Sequence, residues 1–153
     1  MRSSKIEQNS GDYGEGVSKV QNVTASTYTV VAEDSGTVYS LNLAAGIVVT
    51  LPSCEVGLTY TFIVGTTFTG AGKINTSATT ELYSGYANIF DPATATDMNT
   101  FIPDNSDDDT IDLGSAAQGW LVGSTVKLTC TSSTRWHCEA QLHGDGSLAT
   151  PFE

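Results

Sequence analysis

The chain has 153 residues, 39% of them hydrophobic and 15% charged, and its 17 Asp and Glu against 6 Lys and Arg give a formal net charge of -11. That length suits one domain, which buries roughly two-thirds of the surface its unfolded chain exposes. The acid excess excludes nucleic acid as a partner, because neutralising phosphates needs clustered Lys and Arg, and beyond residue 19 only Lys73, Lys127 and Arg135 stand against 14 acidic residues.

No apolar run reaches the roughly 18 residues of a membrane-spanning helix. The start, MRSSKIEQNSGDYGEG, has no apolar stretch of the signal-peptide kind, so the expectation is synthesis in a cytoplasm and no membrane partner. Residues 1–22 carry Ser, Gly, Asn, Gln and scattered charge without a sustained period, and read as an extended N-terminal arm that orders only against something else. The domain proper is then 23–153.

From residue 27 the texture changes to short β-branched and aromatic runs, which predict strands at 27–31, 37–43, 47–51, 59–64 and 72–76. Glu33-Asp34-Ser35-Gly36, Ala44-Ala45-Gly46 and the segment 52–57 supply the turns between them. Parallel neighbours need long crossovers, usually helical, and no amphipathic helix fills these gaps. The reading is therefore all-β, an antiparallel β-sandwich or jelly roll with an extended N-terminal arm.

Residues 84–119 interrupt the rhythm, scattering Tyr86, Ile89, Phe90, Met98 and Phe101, with Tyr83 just ahead, among Asp, Asn, Thr and Pro. A loop of that length is either functional or packed against something, so it reads as an insertion that makes partner contacts or folds back as a lid over the core. After it, Val126, Leu128 and Cys130 alternate with polar residues, and after a turn so do Trp136, Cys138, Ala140 and Leu142. This is a half-buried hairpin.

Cys130 and Cys138 fall on one face of that hairpin and are either a cross-strand disulfide or two buried thiols, with Cys54 left over in both cases. Zinc does not fit, since His137 points away from its neighbour Cys138 and no CxxC pair supplies further ligands. The acidic run 104–112 fails the EF-hand pattern, because counting from Asp104 puts Asp109 where Gly is needed and Ser115 where Glu is needed. It remains either an irregular calcium loop or a solvated acidic one. Neither His137 nor His143 stands in a nucleophile–base context, and no phosphate or dinucleotide loop is present, so the chain reads as non-enzymatic and without a cofactor.

The segments Tyr28-Thr29-Val30-Val31-Ala32-Glu33-Asp34-Ser35-Gly36, Ala44-Ala45-Gly46, Ile47-Val48-Val49-Thr50-Leu51-Pro52 and Gly57-Leu58-Thr59-Tyr60-Thr61-Phe62-Ile63-Val64, with Arg135-Trp136 in the last hairpin, carry a resemblance. The chain resembles small tailed-phage virion proteins, common among phages of marine and cyanobacterial hosts, that decorate capsids or occur as modules in tail fibres. The resemblance spans roughly 27–76 and 119–146, and the insertion departs from it. It implies a β-sandwich that assembles as a homotrimer on the capsid surface of the virion and binds the major capsid protein as a cement. The arm contacts would then be Arg2, Lys5, Ile6, Tyr13, Val17 and Lys19, the basic and apolar groups of a segment that cannot fold alone. The alternative within the same resemblance is a tail-fibre or receptor-binding module, whose Tyr83, Tyr86 and Phe90 would stack on host glycans.

Overall fold

A computed structural model describes residues 18–94 and 97–153. Eleven strands form two sheets, and among the described residues the helical structure consists of one 3-10 turn, Ala32–Asp34. In chain order the strands are β1 Val20–Val23, β2 Thr27–Thr29, β3 Val38–Leu41, β4 Val48–Thr50, β5 Thr59–Val64, β6 Lys73–Asn75, β7 Leu82–Phe90, β8 Met98–Phe101, β9 Thr110–Asp112, β10 Thr125–Ser132 and β11 Arg135–His143. The large sheet runs β1-β3-β5-β10-β11-β7-β8 and the small one β2-β4-β6-β9.

The expected antiparallel pairing of neighbours is wrong for the first half. Successive strands there alternate between sheets, so β1, β3 and β5 pair in parallel in one, and β2, β4 and β6 in parallel in the other. Parallel pairing does need a crossover, but each crossover here is itself a strand of the opposite sheet instead of a helix. Each strand therefore buries one face, which is why the period-2 pattern was readable while the pairing was not. Antiparallel pairing holds in the second half, at β5–β10, β10–β11, β7–β8 and β6–β9.

Residues 84–119 are no excursion. They supply most of β7, which lies in the large sheet parallel to β11, together with β8 and β9. Tyr83, Ala87 and Ile89 of β7 are buried, while Ser84, Tyr86, Asn88 and Phe90 lie on the other face. At the break in this alternation stands Gly85, paired with Cys138 at a φ of 100°. A Cβ there would run into the carbonyl of Cys138, so only glycine lets β7 lie against β11. Val20–Val23, the first three residues of which fall in the segment read as an arm, is an edge strand, and its backbone joins the body where Val38 donates to the Lys19 carbonyl at 2.9 Å.

One hydrophobic cluster draws on both sheets, with Tyr39, Tyr60, Phe62, Tyr83 and Trp136 from the large one and Val49, Ile74 and Ile111 from the small one. Its aromatic centre is a chain of rings: Tyr39 stacks on Phe62 at 5.2 Å, and Tyr60 tilts against Trp136 at 5.9 Å. Two buried Tyr hydroxyls find backbone acceptors, Tyr60 on Val31 at 3.0 Å and Tyr83 on Ile74 at 2.9 Å.

Candidate interaction surface

Charge is segregated on this body. Among the described residues Glu139 is the one acidic residue in the strands of the large sheet; the others stand in loops, in the 3-10 turn, in β9 and near the C-terminus. The face of that sheet turned away from the core carries a row that crosses six strands, Val20, Val38, Thr61, Lys127, Glu139 and Tyr86. The next row runs through Ser40, Ile63, Thr125, Gln141 and Asn88. Lys127 and Glu139 are cross-strand partners, as opposite charges on one face favour.

At the β1 side this face is held rigid by amide and hydroxyl groups. Asn42 donates from Nδ2 to Asn22 Oδ1 at 2.6 Å and to Ser40 Oγ at 2.9 Å, and Thr66 donates to Asn42 Oδ1 at 3.3 Å. At the far side Phe90 and Met98 pair on β7 and β8 and are 36% and 52% exposed. A groove of about 470 Å³ opens at the start of β8, between Met98, Asn99 and the segment 146–148, with Asp97 its one ionisable lining residue among the described residues.

The acidic side is a different environment. Asp104, Asp107 and Asp108 bring carboxylate oxygens within 4.8 Å of one another, an arrangement that could hold a cation. The loop already spends these oxygens on itself: Asp104 Oδ1 accepts from the Ser106 N–H and hydroxyl, both at 2.8 Å, and Asp108 Oδ2 accepts the Asp104 N–H at 2.5 Å. The Ser106 bonds hold the Asp104 carboxyl below its ordinary range. Burial pushes Asp108 above it, opposed by the Asp104 N–H and reinforced by the charges of Asp104 and Asp107. A second group of acidic residues surrounds Tyr60, whose hydroxyl is pushed up to about 12, by burial first and then by Asp34, Glu33 and Glu55.

The cysteines pair otherwise than the hairpin suggested. Cys130 is bonded to Cys54, 76 residues away, with a Cα separation of 5.8 Å, and Cys138 is a buried free thiol. The strand register explains it: Trp136 lies opposite Cys130, and Cys138 lies opposite Leu128, one diagonal step away. The turn after β4 pairs with β10 instead, through Cys130 N–H to Leu58 at 2.9 Å and Gly57 N–H to Cys130 at 3.0 Å. Glu81 fixes the other cysteine, its Oε1 accepting the Cys54 N–H at 2.9 Å. Cys138 is fully buried, and that burial raises its thiol above its ordinary range.

Of the arm residues singled out from the sequence, Arg2, Lys5, Ile6, Tyr13 and Val17 lie outside the described residues. Lys19 belongs to the body, where its ammonium meets Asp34 Oδ1 at 2.6 Å. Of the three aromatics proposed for sugar stacking, Tyr83 is fully buried and has no free ring face; Tyr86 and Phe90 point outward. The charge-poor face escaped the sequence reading because its rows exist only once six strands stand side by side. Its signal was already there in the Thr-rich alternate positions of the strands, where Lys127, Arg135 and Glu139 are the charged residues. No known protein family model matches the chain, and no curated protein matches it.

Proposed function

We propose that the protein is a non-enzymatic virion component, a capsid decoration protein built as a β-sandwich that binds the assembled phage shell as a homotrimer and stabilises it. The reading rests on the resemblance of the turn and strand segments to those of small phage decoration proteins, here the turns ending in Gly36, Gly46 and Gly57 and the strands between them. A body of two sheets drawing on one core, cross-linked between Cys54 and Cys130, supports it, since such a body suits a rigid clamp. The mechanism is mass action: a ligand that binds only the assembled lattice stabilises that lattice, and several copies multiply weak contacts.

In this reading residues 1–17 make the capsid contact, through Arg2, Lys5, Ile6, Tyr13 and Val17, because they lead directly into the edge strand β1. Deleting residues 1–17 should abolish binding to purified shells and leave the near-UV spectrum of the body unchanged. Retained binding sinks the arm assignment. Electron cryomicroscopy of the virion checks the role itself: hundreds of copies on the lattice fit decoration, and a few copies confined to the tail overturn it.

Tyr86 and Phe90, both outward on β7 with Asn88 between them, favour a second reading as a receptor-binding module that stacks on host glycans. A glycan array with no hit removes it.

A further inference from the structure

We propose that Cys54 and Cys130 form a redox site, a disulfide that small thiols and small disulfides open and close on the finished fold, with Cys54 as the sulfur they attack. The fold brings the two sulfurs together without the bond. The Gly57 N–H donates to the Cys130 carbonyl at 3.0 Å and the Cys130 N–H to the Leu58 carbonyl at 2.9 Å, so the turn is tied to β10 through the backbone of Cys130 itself. Glu81 Oε1 accepts the Cys54 N–H at 2.9 Å from the far side of the turn's sequence neighbours, 27 residues on. None of these hydrogen bonds involves a sulfur, and they accompany a Cα separation of 5.8 Å, within the span a disulfide needs.

The open state has its partners in place as well. The Arg135 carbonyl oxygen lies 3.3 Å from Cys54 Sγ, and the Ser132 carbonyl oxygen lies 3.0 Å from Cys130 Sγ. A disulfide sulfur carries no hydrogen, so in the closed state these are contacts only. Once the bond opens, each S–H has an acceptor within reach, and neither thiol is left as a buried donor without a partner.

Exposure sets the direction of attack. Cys54 is 8% exposed, in a turn whose Ser53, Glu55 and Val56 are exposed, whereas Cys130 is 1% exposed within the core. A small thiolate from solvent attacks Cys54 Sγ, forms a mixed disulfide there, breaks the Cys54–Cys130 bond and releases Cys130 as a thiolate that takes a proton from water. A second small thiolate attacks the outer sulfur of the mixed disulfide and releases Cys54. Two small thiols are thereby oxidised to one small disulfide, and the protein gains two electrons and two protons. Closure reverses the path, with Cys130 displacing the small thiol from Cys54. The closed bond restrains a sequence separation of 76 without reshaping it, so the body's resistance to unfolding follows the thiol–disulfide balance around it while its fold does not.

The test uses the purified chain alone, so its outcome is separate from that of the decoration role. Reduced by a dithiol that is then removed, the chain should weigh two hydrogens more and keep dispersed amide resonances, with shifts confined to the surroundings of the two cysteines, Glu81 and Arg135. Oxidised glutathione added without denaturant should restore the bond, and at a fixed urea concentration the unfolding equilibrium constant should then fall about a thousandfold. Cys130→Ser should trap one glutathione on Cys54, and Cys54→Ser should take up none on Cys130. If either variant does not fold, the wild-type reaction stopped early with acid gives the same reading by peptide mapping, with glutathione on Cys54 and not on Cys130. Loss of dispersed resonances in the dithiol chain overturns the proposal. So does a bond that returns only after unfolding, or glutathione on Cys130 as fast as on Cys54.

Discussion

At the residue scale the fold turns on positions where one atom decides. Gly85 combines a left-handed backbone with a Cβ direction occupied by the Cys138 carbonyl, in a strand parallel to β11. Gly85→Ala should cost about 3 kcal/mol or more, strain and displacement adding, measured as a lowered urea midpoint. Trp136 is fully buried, and its indole N–H has no acceptor among the described residues. Trp136→Ala should cost about 3 to 5 kcal/mol by opening a cavity. Trp136→Phe should cost clearly less, since it removes the unpaired donor along with part of the volume.

Two carboxyls on the acidic side respond to pH in opposite senses. The Asp108 carboxyl is raised on folding, so the native state holds its proton to higher pH than the unfolded chain does; its contribution improves as pH falls from neutral through its folded pKa. The hydrogen bond from Lys73, at 2.8 Å, holds Glu153 below its ordinary range, so its contribution is present at neutral pH and is lost as pH falls through that lowered value. Asp108→Asn keeps an oxygen for the Asp104 N–H and removes the buried charge. It should raise stability at about pH 7 and remove the gain seen toward about pH 4, read from urea midpoints at the two values.

At the scale of elements, the disulfide joins what the strands leave separate. Cys54 sits in the turn after β4 and Cys130 in β10, so one covalent bond closes a loop with a sequence separation of 76. By loop entropy that closure contributes about 4 kcal/mol. Reduction, or Cys54→Ser, should lower stability by about that amount. Intact mass should show the oxidised chain lighter by two hydrogens, and a thiol reagent should find Cys138 only after unfolding. Strand β7 has the same integrating role without a covalent bond, since it pairs with β11 on one side and β8 on the other. Its alternation was present in the sequence but was broken at Gly85 and flanked by polar loop chemistry, which is why 84–119 read as an insertion.

At the scale of the whole molecule, charge opposes the compact state. With a net charge of -11 and the carboxylates crowded into loops, self-repulsion is greatest at low salt. Raising ionic strength from roughly 0.01 to 0.1 M shortens the screening length from about 30 to about 10 Å, and the melting temperature should rise with it. The same segregation leaves one broad face nearly neutral, a property that belongs to the assembled sheet and to no single strand.

The sequence by itself determined the β class, the placement of the first five long runs as strands and the burial pattern of the last hairpin. It could do so because side-chain alternation and turn chemistry are local: residues 59–64 alternate core and surface whatever lies beside them, and Gly46 marks a reversal wherever the strands go. Only the tertiary structure decided which strands pair and in which direction, which cysteine meets Cys130, that 84–119 contributes strands to both sheets, and that alternate positions from six strands make one charge-poor face. Those are contacts between residues far apart in the chain, and a period of two is the same whether a strand's neighbour runs parallel or antiparallel, or lies before or after it.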